Sequence, residues 1–205
     1  MANLITLSRF LLLIVVVVIL YQPAGVWKFI DVPLLLLTFA TDGFDGYVAR
    51  KRGETSLFGA MFDVAMDRIV ENVLWLVLAT LSLVPVWVPI VFLVRGSLVD
   101  AVRSHGGTQG DSPFDMMSSP VGRFLVAGRF MRGFYAVLKA ATFAWILLMQ
   151  PLPTLYPNFW AHWAGILNPV TSSLVYLTVV ICLARGIPVL VEFALSGAGG
   201  AKEST

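Results

Sequence analysis

The sequence predicts an all-α protein built from membrane-crossing helices, and three observations lead there. Of its 205 residues, 58% are hydrophobic and only 13% carry a charged side chain, a balance too apolar for a soluble monomeric globule. The apolar residues gather in six stretches, about 4–21, 29–49, 57–84, 86–104, 121–150 and 165–194. Each is long enough for a helical crossing, which takes roughly 20 residues. Turn-formers separate them: Gln22-Pro23-Ala24-Gly25, Val84-Pro85, the loop from Gly106 to Pro120, and Pro151-Leu152-Pro153. Six crossings use nearly the whole chain, so the expectation is one six-helix transmembrane domain over residues 1–196 and a loosely ordered polar tail over 197–205.

The first stretch, LITLSRFLLLIVVVVILY, places Arg9 ahead of an apolar core, as a signal peptide does. Its core runs on without a small-residue cleavage site, so it is read as the first crossing. Arg50, Lys51, Arg52, Arg103 and Arg123 fall at the ends of the second and fourth stretches and the starts of the third and fifth. Short cytoplasmic loops collect Lys and Arg, which assigns that edge to the cytoplasm and the chain to a cytoplasmic membrane, the inner one in a bacterium. Trp27, Lys28, Trp87, Tyr156, Trp160 and Trp163 mark the opposite edge as an aromatic belt. An even number of crossings then leaves both termini cytoplasmic. The net charge of +2 is too small to point to nucleic acid. Cys182, the single cysteine, lies in an apolar run and reads as packing. His105 and His162 sit at opposite edges without companion ligands and read as surface residues.

The second and third stretches carry an anomaly. Within TDGFDGYVARKRGETSLFGAMFDVAMDR stand four aspartates, Asp42, Asp45, Asp63 and Asp67, at the edge of apolar segments. A carboxylate near hydrocarbon costs several kcal/mol unless it is paired, wetted or bound to metal, so it marks function by default. At about 100° per residue, Asp42, Gly46 and Ala49 fall close together on one helix, with Asp45 and Arg50 beside them. Asp63 and Asp67 are one turn apart on the next helix, with Gly59 one turn earlier. Two helices joined by the turn from Lys51 to Thr55 would present four carboxylates across one crevice. Oxygen donors without His or Cys suit a hard divalent cation such as Mg²⁺, Mn²⁺ or Ca²⁺, and such an ion typically neutralises a diphosphate. The small residues let a bulky ligand approach the backbone, and Arg50 has the planar fork that matches phosphate. The plainer alternative is that the acids only pair with Arg50, Arg52 and Arg68 while the small residues pack helices.

These residues resemble a known family. Asp42, Asp45, Gly46, Ala49, Arg50, Gly59, Asp63 and Asp67 match the signature D-x-x-D-G-x-x-A-R-x(8)-G-x-x-x-D-x-x-x-D of the CDP-alcohol phosphotransferases at every fixed position and spacing. The resemblance implies a metal-dependent transfer of a phosphatidyl group from CDP-diacylglycerol to a small polar alcohol, with release of CMP. It further implies that Asp42, Asp45 and Asp63 hold Mg²⁺ or Mn²⁺ with Asp67 sharing in binding, and that Asp67 acts as general base. Asp42, Gly46, Ala49, Arg50 and Gly59 would bind the CDP-lipid. By the same resemblance the chain is a homodimer in membrane lipid, with its site open to the cytoplasmic leaflet. Asn3-Leu4-Ile5-Thr6-Leu7-Ser8-Arg9 is also similar to the opening of members that make phosphatidylglycerophosphate, so Asn3 or Thr6 is a candidate to reach the site.

Arg103, Arg123, Arg129 and Arg132 gather near the expected cytoplasmic edge and suit an acceptor phosphate. They favour glycerol 3-phosphate or an inositol phosphate over inositol, serine or choline, although positive-inside anchoring would also place Arg there. Arg95, Lys139 and Arg185 lie deeper, and Glu71 is a candidate partner for one of them. Prenyltransferases use differently spaced acidic motifs, and a divalent-cation transporter would need no Gly46, Ala49 and Arg50 at these spacings. Release of CMP separates the transferase from both.

Overall fold

The computed structural model describes residues 2–52, 57–108 and 122–200. For residues 2–7, 42–52, 57, 58, 60, 103, 105–108, 127 and 196–200 it describes the backbone alone. Six long helices account for most of the described residues: α1 (Ala2–Tyr21), α2 (Asp31–Arg52), α3 (Leu57–Thr80), α4 (Trp87–Thr108), α5 (Arg129–Met149) and α6 (Pro157–Gly200). No strand occurs among the described residues, in line with the expected all-α class. Each of the six apolar stretches contributes one helix, and the turn-formers fall between them.

Contacts divide the chain into two units, residues 1–86 with 140–173, and residues 87–139 with 174–205. In the first, α1 packs along α2 and α3. The inward stripe of α1 is Arg9, Leu13, Val16 and Leu20, each at most 2% exposed and spaced as one helix face requires. Leu35 and Thr38 of α2 and Val70, Leu74 and Leu78 of α3 are buried in the same unit. Phe143 stacks on Phe39 at 6.1 Å and meets Trp75 at 4.5 Å in a tilted pair. Thr38 donates to the Leu34 carbonyl at 2.9 Å, which satisfies a buried hydroxyl within its own helix. Tyr21 and Thr80 join their hydroxyls at 2.6 Å, tying the end of α1 to the end of α3.

In the second unit, Val99, Val102, Val126 and Val189 form a small core with Leu190 and Phe193 packed on it. Gly186 of α6 lies against Arg95 of α4, where a Cβ would come within 2.5 Å of Nε and 2.7 Å of Cγ. The fifth apolar stretch is not one continuous helix. A π-helical segment, Arg123–Ala127, precedes α5 and closes with Gly128 donating to the Arg123 carbonyl at 3.0 Å. A Cβ on Gly128 would meet the Phe124 carbonyl oxygen at 2.3 Å, so only glycine fits this bend. Trp87 stacks on Tyr176 at 5.8 Å.

Two details differ from the sequence expectation. Lys28 does not belong to the belt, since it is buried: its Nζ donates to the Leu20 carbonyl at 3.0 Å and to Gln150 Oε1 at 3.2 Å. Helix α6 starts before residue 165 and continues through Gly200, into the expected polar tail. By length and composition, two described segments qualify to cross a membrane, Arg129–Leu155 and Pro157–Leu195. Large apolar side chains nevertheless stand exposed on every long helix, among them Leu11, Leu37, Met61, Ile90, Val137 and Val180. Such surface marks a membrane or protein interface.

Candidate active site

The motif begins on α2, where Asp31, Leu35 and Thr38 lie on the buried face. Positions 42, 45 and 49 continue that register toward the end of the helix. The side chains of Asp42, Asp45, Gly46, Ala49 and Arg50 themselves lie outside the described residues. On α3 the geometry is explicit. Asp63 and Asp67 extend the stripe of Val70, Leu74 and Leu78 by two turns toward the helix start, so the inward face changes from apolar to acidic along its length. Gly59, half-buried, is one turn earlier still.

Arg9 reaches these two acids from α1. Its Nη1 donates to Asp63 Oδ1 at 3.2 Å and its Nη2 to Asp67 Oδ1 at 2.6 Å. The guanidinium is buried, while the Asp63 and Asp67 side chains keep 38% and 47% of their exposure. Burying a cation in an apolar helix is costly unless it is paired, and both pairs are charge-assisted. Asp63 and Asp67 thus converge on one positive group, the Arg9 guanidinium. All-oxygen donors one turn apart, open on one side, fit a hard divalent ion. Among the described residues alone, no group of three potential ligands assembles, because the α2 acids contribute no described side chain.

Arg68 pairs with Glu71 at 3.8 Å, within its own helix. Arg185 and Lys139 lie over the Tyr135 ring, 5.1 and 4.7 Å from its centroid, and Arg185 also donates to the Met131 carbonyl at 3.3 Å. The Arg95 Nε is buried without a hydrogen-bond partner. Of the four Arg residues expected at the acceptor, Arg123 opens the π-helical segment, and Arg129 and Arg132 are exposed three residues apart on α5. The Arg103 side chain and the side chains of Asn3 and Thr6 lie outside the described residues. Cys182 is buried and makes no disulfide, and His162 is exposed with its ring edge-on to Trp163.

Arg9 is the residue that sequence reasoning passed over. A signal was present: an arginine inside an apolar helix faces the protein interior, and an interior cation seeks an anion. What the sequence lacked was the packing of α1 against α3.

Comparison with known proteins gives a consistent picture. A family model described as CDP-alcohol phosphatidyltransferase matches residues 1–194. A CDP-diacylglycerol–glycerol-3-phosphate 3-phosphatidyltransferase of Wigglesworthia glossinidia brevipalpis is 28% identical over 102 residues, 48% of this chain and 56% of that protein. The chain therefore spans about half the length of that relative. Proteins of the same description from Salmonella choleraesuis (strain SC-B67) and Escherichia coli (strain K12) are each 25% identical over 167 residues, 80% of this chain and 81% of theirs.

Proposed function

Since the chain belongs to the CDP-alcohol phosphatidyltransferase family, we propose that it transfers a phosphatidyl group from CDP-diacylglycerol to a hydroxyl of glycerol 3-phosphate and releases CMP. The observation that carries the reading is the acid pair Asp63 and Asp67, presented side by side on α3 and facing one cation, within a motif matched at every fixed position. The named relatives support the acceptor, as do Arg103, Arg123, Arg129 and Arg132, to which we assign its phosphate.

In this reading Asp42, Asp45 and Asp63 hold Mg²⁺ or Mn²⁺, with Asp67 sharing in binding. When bound, the ion neutralises the diphosphate and stabilises the charge that develops on the departing CMP. Gly46, Ala49 and Gly59 leave room for the nucleotide against the helix backbone, and Arg50 faces phosphate charge. Asp67 takes the proton from the acceptor hydroxyl, because an alcohol is a weak nucleophile until a positioned carboxylate relieves it of that proton. The bond from phosphorus to the bridging oxygen breaks as the acceptor oxygen bonds to phosphorus. The six helices cross the bilayer, both termini lie in the cytoplasm, and the protein works as a homodimer, with the exposed apolar side chains of each helix meeting lipid or the second copy.

A metal titration of activity tests the ligand assignment. Asp42→Asn, Asp45→Asn and Asp63→Asn each remove one hard anionic donor, so each variant is expected to need a higher Mn²⁺ or Mg²⁺ concentration for half-maximal CMP release. Titration curves that superpose on wild type for all three would remove the metal site.

A further inference from the structure

We propose that Arg9 is a built-in counter-cation for the acid array, a positioning residue that holds Asp63 and Asp67 together and opposes the divalent cation for the same two carboxylates. The inference rests on the metal-dependent reading of this site and adds to it a residue outside the motif.

Four features support it. Arg9 is 1% exposed and stands on the buried stripe of α1, one turn before Leu13, so its charge is directed into the protein by the helix that carries it. Its fork divides between the two acids, with one terminal nitrogen to each, a task for which the single ammonium of lysine has no equivalent. The atoms it engages are Oδ1 of Asp63 and Oδ1 of Asp67, carboxylate oxygens of the kind a hard cation coordinates. Finally, α1 packs on both motif helices, and Arg9 lies on the face that meets the acids of α3.

Two consequences follow from elementary electrostatics. Without a positive group, carboxylates this close repel one another, and Arg9 offsets that repulsion. A fixed positive charge at hydrogen-bond distance from two ligands also lowers the affinity of those ligands for a dication, through repulsion and through competition for the same lone pairs. Arg9 thereby weakens metal binding to the protein alone. A diphosphate brings new anionic oxygens that offer both cations partners, so metal and lipid nucleotide bind more tightly together than either does singly.

The test is Mn²⁺ binding to the purified full-length protein without nucleotide, read from the free-ion electron paramagnetic resonance signal. Arg9→Gln is expected to bind Mn²⁺ about tenfold more tightly than wild type, an order-of-magnitude figure for removing one adjacent charge. Arg9→Lys reaches one carboxylate at a time, and its Kd is expected to fall by a smaller factor, about threefold. A purely structural arginine predicts the opposite sign, because a disordered acid pair binds metal less well. An unchanged or raised Kd in Arg9→Gln overturns the proposal, and if that variant does not fold, an unchanged or raised Kd in Arg9→Lys does so. Failure of the underlying reading looks different: wild-type protein would then show no Mn²⁺ binding that Asp63→Asn diminishes, and the proposal would fall with it.

Discussion

Asp67 and Asp63 occupy equivalent positions one turn apart on α3, yet they are assigned different tasks. Asp67 is the more exposed of the two. Asp67→Asn is expected to retain CDP-diacylglycerol binding and lose about two to four orders of magnitude in turnover, the scale for removing a general base. Normal turnover in that variant with metal bound would contradict the assignment. A second residue of consequence lies shortly ahead of this motif in sequence. Lys28 is buried outside the long helices, between Leu20 and Gln150, and Gln150 Nε2 donates to the same Leu20 carbonyl at 3.2 Å. Burial pushes the Lys28 ammonium below its ordinary pKa, while the negative charge of Asp31 draws it back up. Asp31 is 1% exposed, neither of its carboxylate oxygens has a hydrogen-bond partner among the described residues, and the positive charge of Lys28 acts on it. Lys28→Met is expected to destabilise the protein by about 1–3 kcal/mol, the scale for leaving buried hydrogen-bond acceptors such as Gln150 Oε1 without their donor, seen as a lower Tm in detergent. A wild-type Tm would show that the Lys28 hydrogen bonds contribute nothing to stability. The sequence marked the motif acids because charge inside apolar stretches stands out. It did not mark Lys28, because a lysine beside tryptophan at a helix end is also what a membrane anchor looks like.

Helices were legible because each apolar stretch was long and bounded by proline or glycine. Their interruptions were not. The stretch 121–150 contains no proline between its turn signals and reads as one helix, yet the backbone passes through a π-helical segment and the Gly128 bend before α5 begins. A glycine in an apolar run carries no signal of its own, since the reason for Gly128 is a carbonyl oxygen in the preceding turn. Gly186 makes the same point between elements, because its role depends on Arg95 of α4. Gly186→Leu is expected to cost about 1–3 kcal/mol by forcing Arg95 aside, the usual range for overpacking. Gly133 of α5 provides the control, since a Cβ added there would meet nothing within 4 Å. Gly133→Ala should leave thermal stability unchanged or raise it slightly through helix propensity. Equal Tm losses in both variants would show that the Gly186–Arg95 contact has no special role.

At the scale of the whole molecule, the chemistry was more legible than the topology. Eight motif residues at fixed spacings identify a family from an eighth of the chain, and the match over residues 1–194 agrees with them. Crossing number is harder to read: among the described residues, Arg129–Leu155 and Pro157–Leu195 pass on length and composition. The role of Arg9 was illegible because an almost wholly apolar helix such as α1 does not reveal which face is buried until its neighbours are placed. The central claim is phosphatidyl transfer to a phosphorylated acceptor, and one measurement addresses it most directly. Purified protein given CDP-diacylglycerol and Mn²⁺ or Mg²⁺ is assayed for CMP release with glycerol 3-phosphate and, in parallel, with glycerol. Metal-dependent CMP release is expected with glycerol 3-phosphate and far less with glycerol, because Arg–phosphate contacts are charge-assisted and a neutral polyol forgoes them. No CMP release with either acceptor, or equal release with both, would contradict the claim.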